Sequence, residues 1–319
     1  MPLATTGGLV TRAAAARSAV AAFNIITLEH VEAVVAGAES VAAPVVLQVS
    51  ENAVKFRYGR LLPLARAAVA AAERASVPVA LHLDHVQSDS LLRQAPDAGF
   101  SSVMYDASRL PYAENLAATR AAADWAHAQG LWIEAELGEV GGKAGPGGWG
   151  SGRPGGWGSG RLAERGSGRS AERGRGARPP LDAHAPGART DPAEARAFVA
   201  DSGVDALAVA VGSTHAMTTR TATLDHDLLK RLSAALDVPL VLHGSSGVPD
   251  GQLAAAVAGG IAKVNVGTAL NAAMTGAVRE YLAANPEAVD SRGYLTVGRQ
   301  AMVRTVTEII RVVDRTGPA

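Results

Sequence analysis

The chain contains no cysteine in its 319 residues. That absence excludes disulfides, cysteine-ligated zinc, iron–sulfur clusters and a thiol nucleophile. Any transition metal must therefore rest on histidine and carboxylate ligands. Aromatic residues are scarce, at 4%, so Ala, Val, Leu and Ile must do most of the packing. An excess of either charge is also missing: 30 basic residues face 30 acidic ones, and nothing global favours nucleic acid or an anionic membrane surface as partner. No apolar run reaches the roughly 20 residues needed to cross a bilayer. Residues 1–20 lack the order of a signal peptide, because Arg12 and Arg17 interrupt their Ala-rich stretch. A cytoplasmic protein with no membrane partner is the expectation. With 48% hydrophobic and 19% charged residues, the chain can bury a substantial core as a globular domain.

Short β-branched apolar runs recur at residues 19–25, 44–50, 78–84, 101–106, 131–137, 204–211, 239–243 and 261–266. Between them lie longer Ala-rich helical patterns, including 28–41, 60–75, 112–128, 192–202, 224–236 and 251–258. Apolar strands alternating with helices predict a parallel sheet covered by helices, with right-handed crossovers. Eight such units in one chain of this length fit a closed (β/α)8 TIM barrel, a single domain over residues 1–319, better than an open sheet. A doubly wound sheet is the alternative, but no G-x-G-x-x-G follows the first strand. One segment breaks the pattern. Residues 144–180 are rich in Gly and Arg and repeat the unit GGWGSGR twice. They cannot bury enough apolar surface to offset the entropy of ordering, so we read them as a low-complexity insertion in a surface loop. Arg/Gly segments with an occasional Trp can also bind nucleic acid, but the neutral remainder of the chain makes nucleic acid the less favoured partner.

Polar residues cluster at the C-terminal ends of the predicted strands, where the active sites of such barrels lie. The third strand ends in His82-Leu83-Asp84-His85, the sixth leads to Gly212-Ser213-Thr214-His215, and the seventh to His243-Gly244-Ser245-Ser246-Gly247. Three neutral imidazoles with an open fourth position suit a catalytic zinc ion, a Lewis acid for a substrate oxygen. A carboxylate beside them, Asp84, suits acid–base work. His82 alternates with Asp84 and is expected to sit deeper and orient its neighbours. Gly244 to Gly247, and Asn265-Val266-Gly267-Thr268 after the eighth strand, occupy the usual phosphate pocket of this barrel.

These residues resemble the class II fructose-bisphosphate and tagatose-bisphosphate aldolase family, its tagatose-type branch above all. The likeness runs through Ala22-Phe23-Asn24-Ile25, the His82–His85 box, Ser102 to Ser108, Glu134-Ala135-Glu136-Leu137-Gly138 with Gly141-Gly142, the segments ending in His215 and His243, and Lys263 to Thr268. The resemblance implies a zinc-dependent aldehyde-lyase that cleaves a ketose 1,6-bisphosphate to dihydroxyacetone phosphate and an aldehyde, with zinc stabilising the enediolate. It implies His85, His215 and His243 as zinc ligands, and Asp106 and Glu136 as carboxylates of a second or alternative metal position. Asp84 would exchange the proton of the C4 hydroxyl. Asn24, Ser50, Ala216, Gly244, Ser245, Ser246, Asn265, Val266, Gly267 and Thr268 would line the substrate site. A monovalent cation (Na+ or K+) beside the phosphate and a homodimer or homotetramer are common in the family.

The sequence departs from the family pattern in four places. Val86 follows the histidine box, where the family has a small residue or histidine. Lys143-Ala144 follow the Gly pair where acidic residues are usual, and Ala216 stands where glycine is usual. The insertion falls in the catalytic loop; with it excised, Lys143 would stand two positions before Asp182, which becomes the candidate for the missing proton-transfer residue. An aldolase for another ketose phosphate, or a barrel that binds sugar phosphate without turnover, are the alternative functions.

Overall fold

The computed structural model describes residues 3–138 and 188–315; the 144–180 insertion and Asp182 lie outside them. Eight strands, β1 (Val20–Asn24), β2 (Val45–Ser50), β3 (Val79–Val86), β4 (Ser102–Tyr105), β5 (Trp132–Leu137), β6 (Ala206–Val209), β7 (Leu240–Leu242) and β8 (Ile261–Val266), close into a barrel in sequence order. Every neighbouring pair is parallel, including β1 with β8. The (β/α)8 fold is the one the sequence predicts. The strand ends differ in detail: β3 runs on through His85 and Val86, whereas β6 and β7 are shorter than their apolar runs.

The helices are α1 (Thr6–Ala15), α2 (Leu28–Glu39), α3 (Glu51–Phe56), α4 (Leu62–Arg74), α5 (Asp89–Leu92), α6 (Ala95–Ala98), α7 (Tyr112–Ala128), α8 (Pro192–Ser202), α9 (His226–Ala235), α10 (Asp250–Ala258), α11 (Thr268–Ala284) and α12 (Ser291–Val313). Helix α8 shows how local signals set the bounds. Asp191 accepts from the Ala193 and Glu194 N–H groups, Pro192 occupies the first turn, and Gly203 ends the helix at φ +71°, a conformation that costs glycine little. The sequence pattern did not single out α1, α11 or α12. Two glycines dilute the signal of α1, yet it matters to the barrel. Its Leu9 and Val10 pack with Val20, Ala22, Val46, Ala80 and Ala262 at the N-terminal end of the lumen. The larger core lies between the outer face of the sheet and the surrounding helices.

Candidate active site

A strand alternates its side chains between two faces, and in this barrel the alternation separates packing from chemistry. On β3, Leu81 and Leu83 join the outer core while Ala80 joins the inner one; His82 and Asp84 share its parity. On β5, Ile133, Ala135 and Leu137 face outward, so Glu134 and Glu136 face the lumen. On β8, Val264 and Val266 face outward and leave Lys263 and Asn265 inside. The lumen is thus apolar at one end and ionisable at the other.

Adjacent residues Asp84 and His85 cannot both face inward on a regular strand. The structure resolves this with an irregularity in the β3–β4 register between Leu83 and Val86, and His85 itself has φ +50°. A non-glycine residue in the left-handed region costs free energy, and such strain concentrates at functional sites. Here it turns two consecutive polar side chains toward one space. Ala216, next to His215, also lies at φ +60°, which supplies a conformational reason for the glycine usual at that position.

One ligand atom from each of His85, Glu136, His215 and His243 lies within 4.8 Å of the others. The imidazole centroids are 4.9 Å apart for His85 and His243, 5.3 Å for His85 and His215, and 5.9 Å for His215 and His243. Loop contacts bring the last two together: a Cβ on Gly244, whose φ is +67°, would meet the Thr214 backbone at 2.8 Å. Two of the imidazoles are held from behind by carboxylates. His85 Nδ1 donates to Asp106 Oδ2 at 2.7 Å, leaving Nε2 for a ligand. His243 Nε2 is 2.8 Å from Glu134 Oε1, leaving Nδ1, which is buried without a hydrogen-bond partner although 3.3 Å from Glu136 Oε2. Imidazoles fixed in this way are the usual support of a metal centre. The donor set, nitrogen and carboxylate oxygen with no sulfur, fits zinc or a similar divalent ion.

The electrostatics of the protein alone point the same way. Burial works against a charge on His243, but the Glu134 and Glu136 carboxylates draw it up to about 9: the site asks for a cation. His82, by contrast, is held down to about 3 by burial and by the Lys263 ammonium. Its Nδ1 pairs with Ser102 Oγ at 2.7 Å, so it lies in the lumen as a neutral imidazole. Burial raises the Asp84 carboxyl, yet His85, His243 and Lys263 outweigh that effect and hold it below the usual range.

Asp84 is 2% exposed. Its Oδ2 accepts from Asn24 Nδ2 at 2.7 Å, and Gln48 Nε2 reaches Asn24 Oδ1 at 3.4 Å. Its Oδ1 has no partner. Asn24, a candidate substrate contact from sequence, is thereby placed against the candidate base. Ser50 is engaged locally, its Oγ accepting from Ala53 N at the start of α3. Asp106 lies outside the four-donor cluster: beyond His85, it accepts from Ser108 N and Oγ at 3.3 and 2.6 Å. The two Gly-rich segments meet, since Ser246 Oγ accepts from Ala269 N at 3.1 Å and Gly267 lies against the Asn24 side chain. Ser245 is turned inward to the Leu242 carbonyl. Val266 is buried, and Thr268 opens α11. Asn265 is 6% exposed, and neither polar atom of its side chain has a protein partner, as expected of a group that awaits a ligand.

Two ionisable residues in the lumen received no role from the sequence. Glu134 and Lys263, both fully buried, pair at 2.8 Å. Each stands two residues before a candidate site residue, Glu136 and Asn265, and a carboxylate or ammonium at that period inside an apolar strand is the signal that exposes them.

A barrel with a histidine–carboxylate cluster at its C-terminal mouth is the architecture of a metal-assisted enzyme. The pattern of the family described as fructose-bisphosphate aldolase class-II matches residues 4–318, and the chain belongs to that family. Among solved structures, the YdjI aldolase of Escherichia coli K12 is 28% identical, with a TM-score of 0.76 over 99% of this chain and 100% of the other. A Coccidioides immitis structure described as a candidate fructose-1,6-bisphosphate aldolase is 27% identical, with a TM-score of 0.76 over 97% and 95% of the two chains. The fructose-bisphosphate aldolase of Campylobacter jejuni, 22% identical over 98% and 95%, shares the fold with a TM-score of 0.74. Among the described residues no helix is long and apolar enough to cross a membrane.

Proposed function

We propose that this aldolase cleaves a ketose 1,6-bisphosphate of the fructose or tagatose type between C3 and C4, giving dihydroxyacetone phosphate and an aldehyde. The observation that carries the reading is the four-donor cluster of His85, Glu136, His215 and His243 beside a buried carboxylate, Asp84, with one unpartnered oxygen. A zinc ion held by His85, His215 and His243 would supply Lewis-acid polarisation of the ketone, with Glu136 as an alternative ligand.

The protein's own groups account for the remaining steps. Asp84 takes the proton of the C4 hydroxyl. As the C4 oxygen becomes a carbonyl, the C3–C4 bond breaks and its electron pair passes to C3 and onward to the C2 oxygen as an enediolate. A proton delivered to C3 completes dihydroxyacetone phosphate, and Asp182 is our candidate donor. Asn24, anchored by Gln48, fixes Asp84 Oδ2, so that Oδ1 is the oxygen left for the proton. Asn265, with both side-chain polar atoms unpartnered, and the backbone of Gly244–Ser246 and Gly267–Thr268 would hold the phosphate end, aided by the N-terminus of α11.

A cleavage assay across fructose 1,6-bisphosphate, tagatose 1,6-bisphosphate and other ketose phosphates tests this. Activity on a bisphosphate that is abolished by a chelator and restored by zinc is expected. Turnover that survives complete removal of metal would overturn it.

A further inference from the structure

Lys263 is the sole fully buried lysine or arginine among the described residues. Its Nζ donates to Glu134 Oε2 at 2.8 Å, and the other oxygen of that carboxylate is 2.8 Å from His243 Nε2. Strands β8 and β5 and the residue that follows β7 thus contribute one chain of contacts that ends on a candidate metal ligand. We infer that Lys263 is a positioning residue for the metal centre, acting through Glu134 to hold His243 with Nδ1 toward the ion.

Stability is a poor reason for such a pair. Desolvating two charges costs several kcal/mol per ion, and well-packed apolar replacements are often neutral or stabilising. What an apolar pair lacks is an acceptor for the Nε2 proton of His243. An acceptor fixes both the ring orientation and which nitrogen is left for the ion. Glu134 provides it, but a carboxylate alone in this lumen would be an unpaired buried charge. Lys263 supplies the countercharge and pins the second oxygen, so the carboxylate cannot swing away from His243. His82 does not replace it: its Nε2 is 3.9 Å from the same oxygen, and its Nδ1 is committed to Ser102.

This inference rests on the metal-dependent reading, and its test reads metal affinity on the full chain rather than turnover. Zinc binding is measured by competition with a chromophoric chelator, and folding by thermal melting, for two charge-free double variants. Glu134→Gln with Lys263→Met keeps an acceptor for Nε2–H; Glu134→Leu with Lys263→Met does not. The first should bind zinc within about fivefold of the natural protein, and the second should lose about 10–100-fold, the usual cost of removing such a partner. Lys263→Met alone should also weaken zinc binding, because it leaves Glu134 without its countercharge. Equal affinity in the two doubles, with melting changed or not, would assign the pair to packing and overturn the inference. If the natural protein binds zinc no better than His215→Ala, the metal-dependent reading itself fails and the inference falls with it.

Discussion

The two ends of the barrel lumen are built from the same eight strands and do opposite things. At the N-terminal end, Val20, Ala22, Val46, Ala80 and Ala262 pack under Leu9 and Val10 of α1. Farther along the same strands the inward positions are Gln48, His82, Glu134 and Lys263, and then Asn24, Asp84, Glu136, His243 and Asn265. The apolar end stabilises without constraint beyond shape and volume. The ionisable end contributes little net stability once desolvation is counted. It also carries backbone strain at His85 and Ala216. Separating the two along one axis lets the fold support a costly site without disturbing its own core, the division of labour expected of this barrel.

The sharpest way to break that comparison is at the four-donor cluster of His85, Glu136, His215 and His243. His215→Ala should reduce bound zinc from about one per chain to near none while the apolar end, and so the fold, persists. Elemental analysis with circular dichroism checks both halves; full zinc content would remove His215 from the centre. Next in size is Asp84→Asn, which keeps the hydrogen-bonding shape but removes the carboxylate proposed as the base. Cleavage should slow by about 10²–10⁴ with zinc retained, and near-normal turnover would move the proton transfer elsewhere.

At the opposite end the effect should change kind. Leu9→Ala, at a position 3% exposed, should cost about 2–5 kcal/mol of stability and leave the turnover of the folded fraction unaltered. A urea titration and an assay at low denaturant separate the two, and a loss of turnover in the folded fraction that parallels the loss of stability would show that the ends are coupled. The smallest effect concerns acid. His30, buried between Thr27 and Asn271, has its pKa lowered chiefly by burial. It is neutral in the fold but takes a proton in the unfolded chain below about 6.5, so its contribution is present above that pH and is lost as pH falls from there through the lowered pKa of the folded state. His82, held down to about 3, acts in the same sense. The melting temperature should therefore decline from pH 7 to pH 5, and His30→Gln should make that decline shallower. An unchanged slope would show that His30 gains a proton without cost.

Much of the site was legible because its chemistry depends on residue type at strand ends. His85, His215 and His243 stand at the ends of three apolar runs, and Asp84 adjoins the first. The order of the eight strands was equally legible, since each is an apolar run bounded by a helix. Helix α1 was not, because two glycines hide a segment whose helical state follows from docking on the barrel floor. The roles of Glu134 and Lys263 were also hidden. A carboxylate and an ammonium 129 positions apart have no local signature as a pair.

What the sequence determined by itself was the period of each element and the inventory of donors, since alternation and residue chemistry are local properties. Tertiary structure alone decided which donors meet. Closure of β8 onto β1 sets the lumen, the irregularity at Leu83–Val86 turns Asp84 and His85 to the same side, and the contact of Gly244 with Thr214 draws His243 toward His215. Those outcomes depend on strand register and loop packing across the whole chain, and no local stretch of residues specifies either.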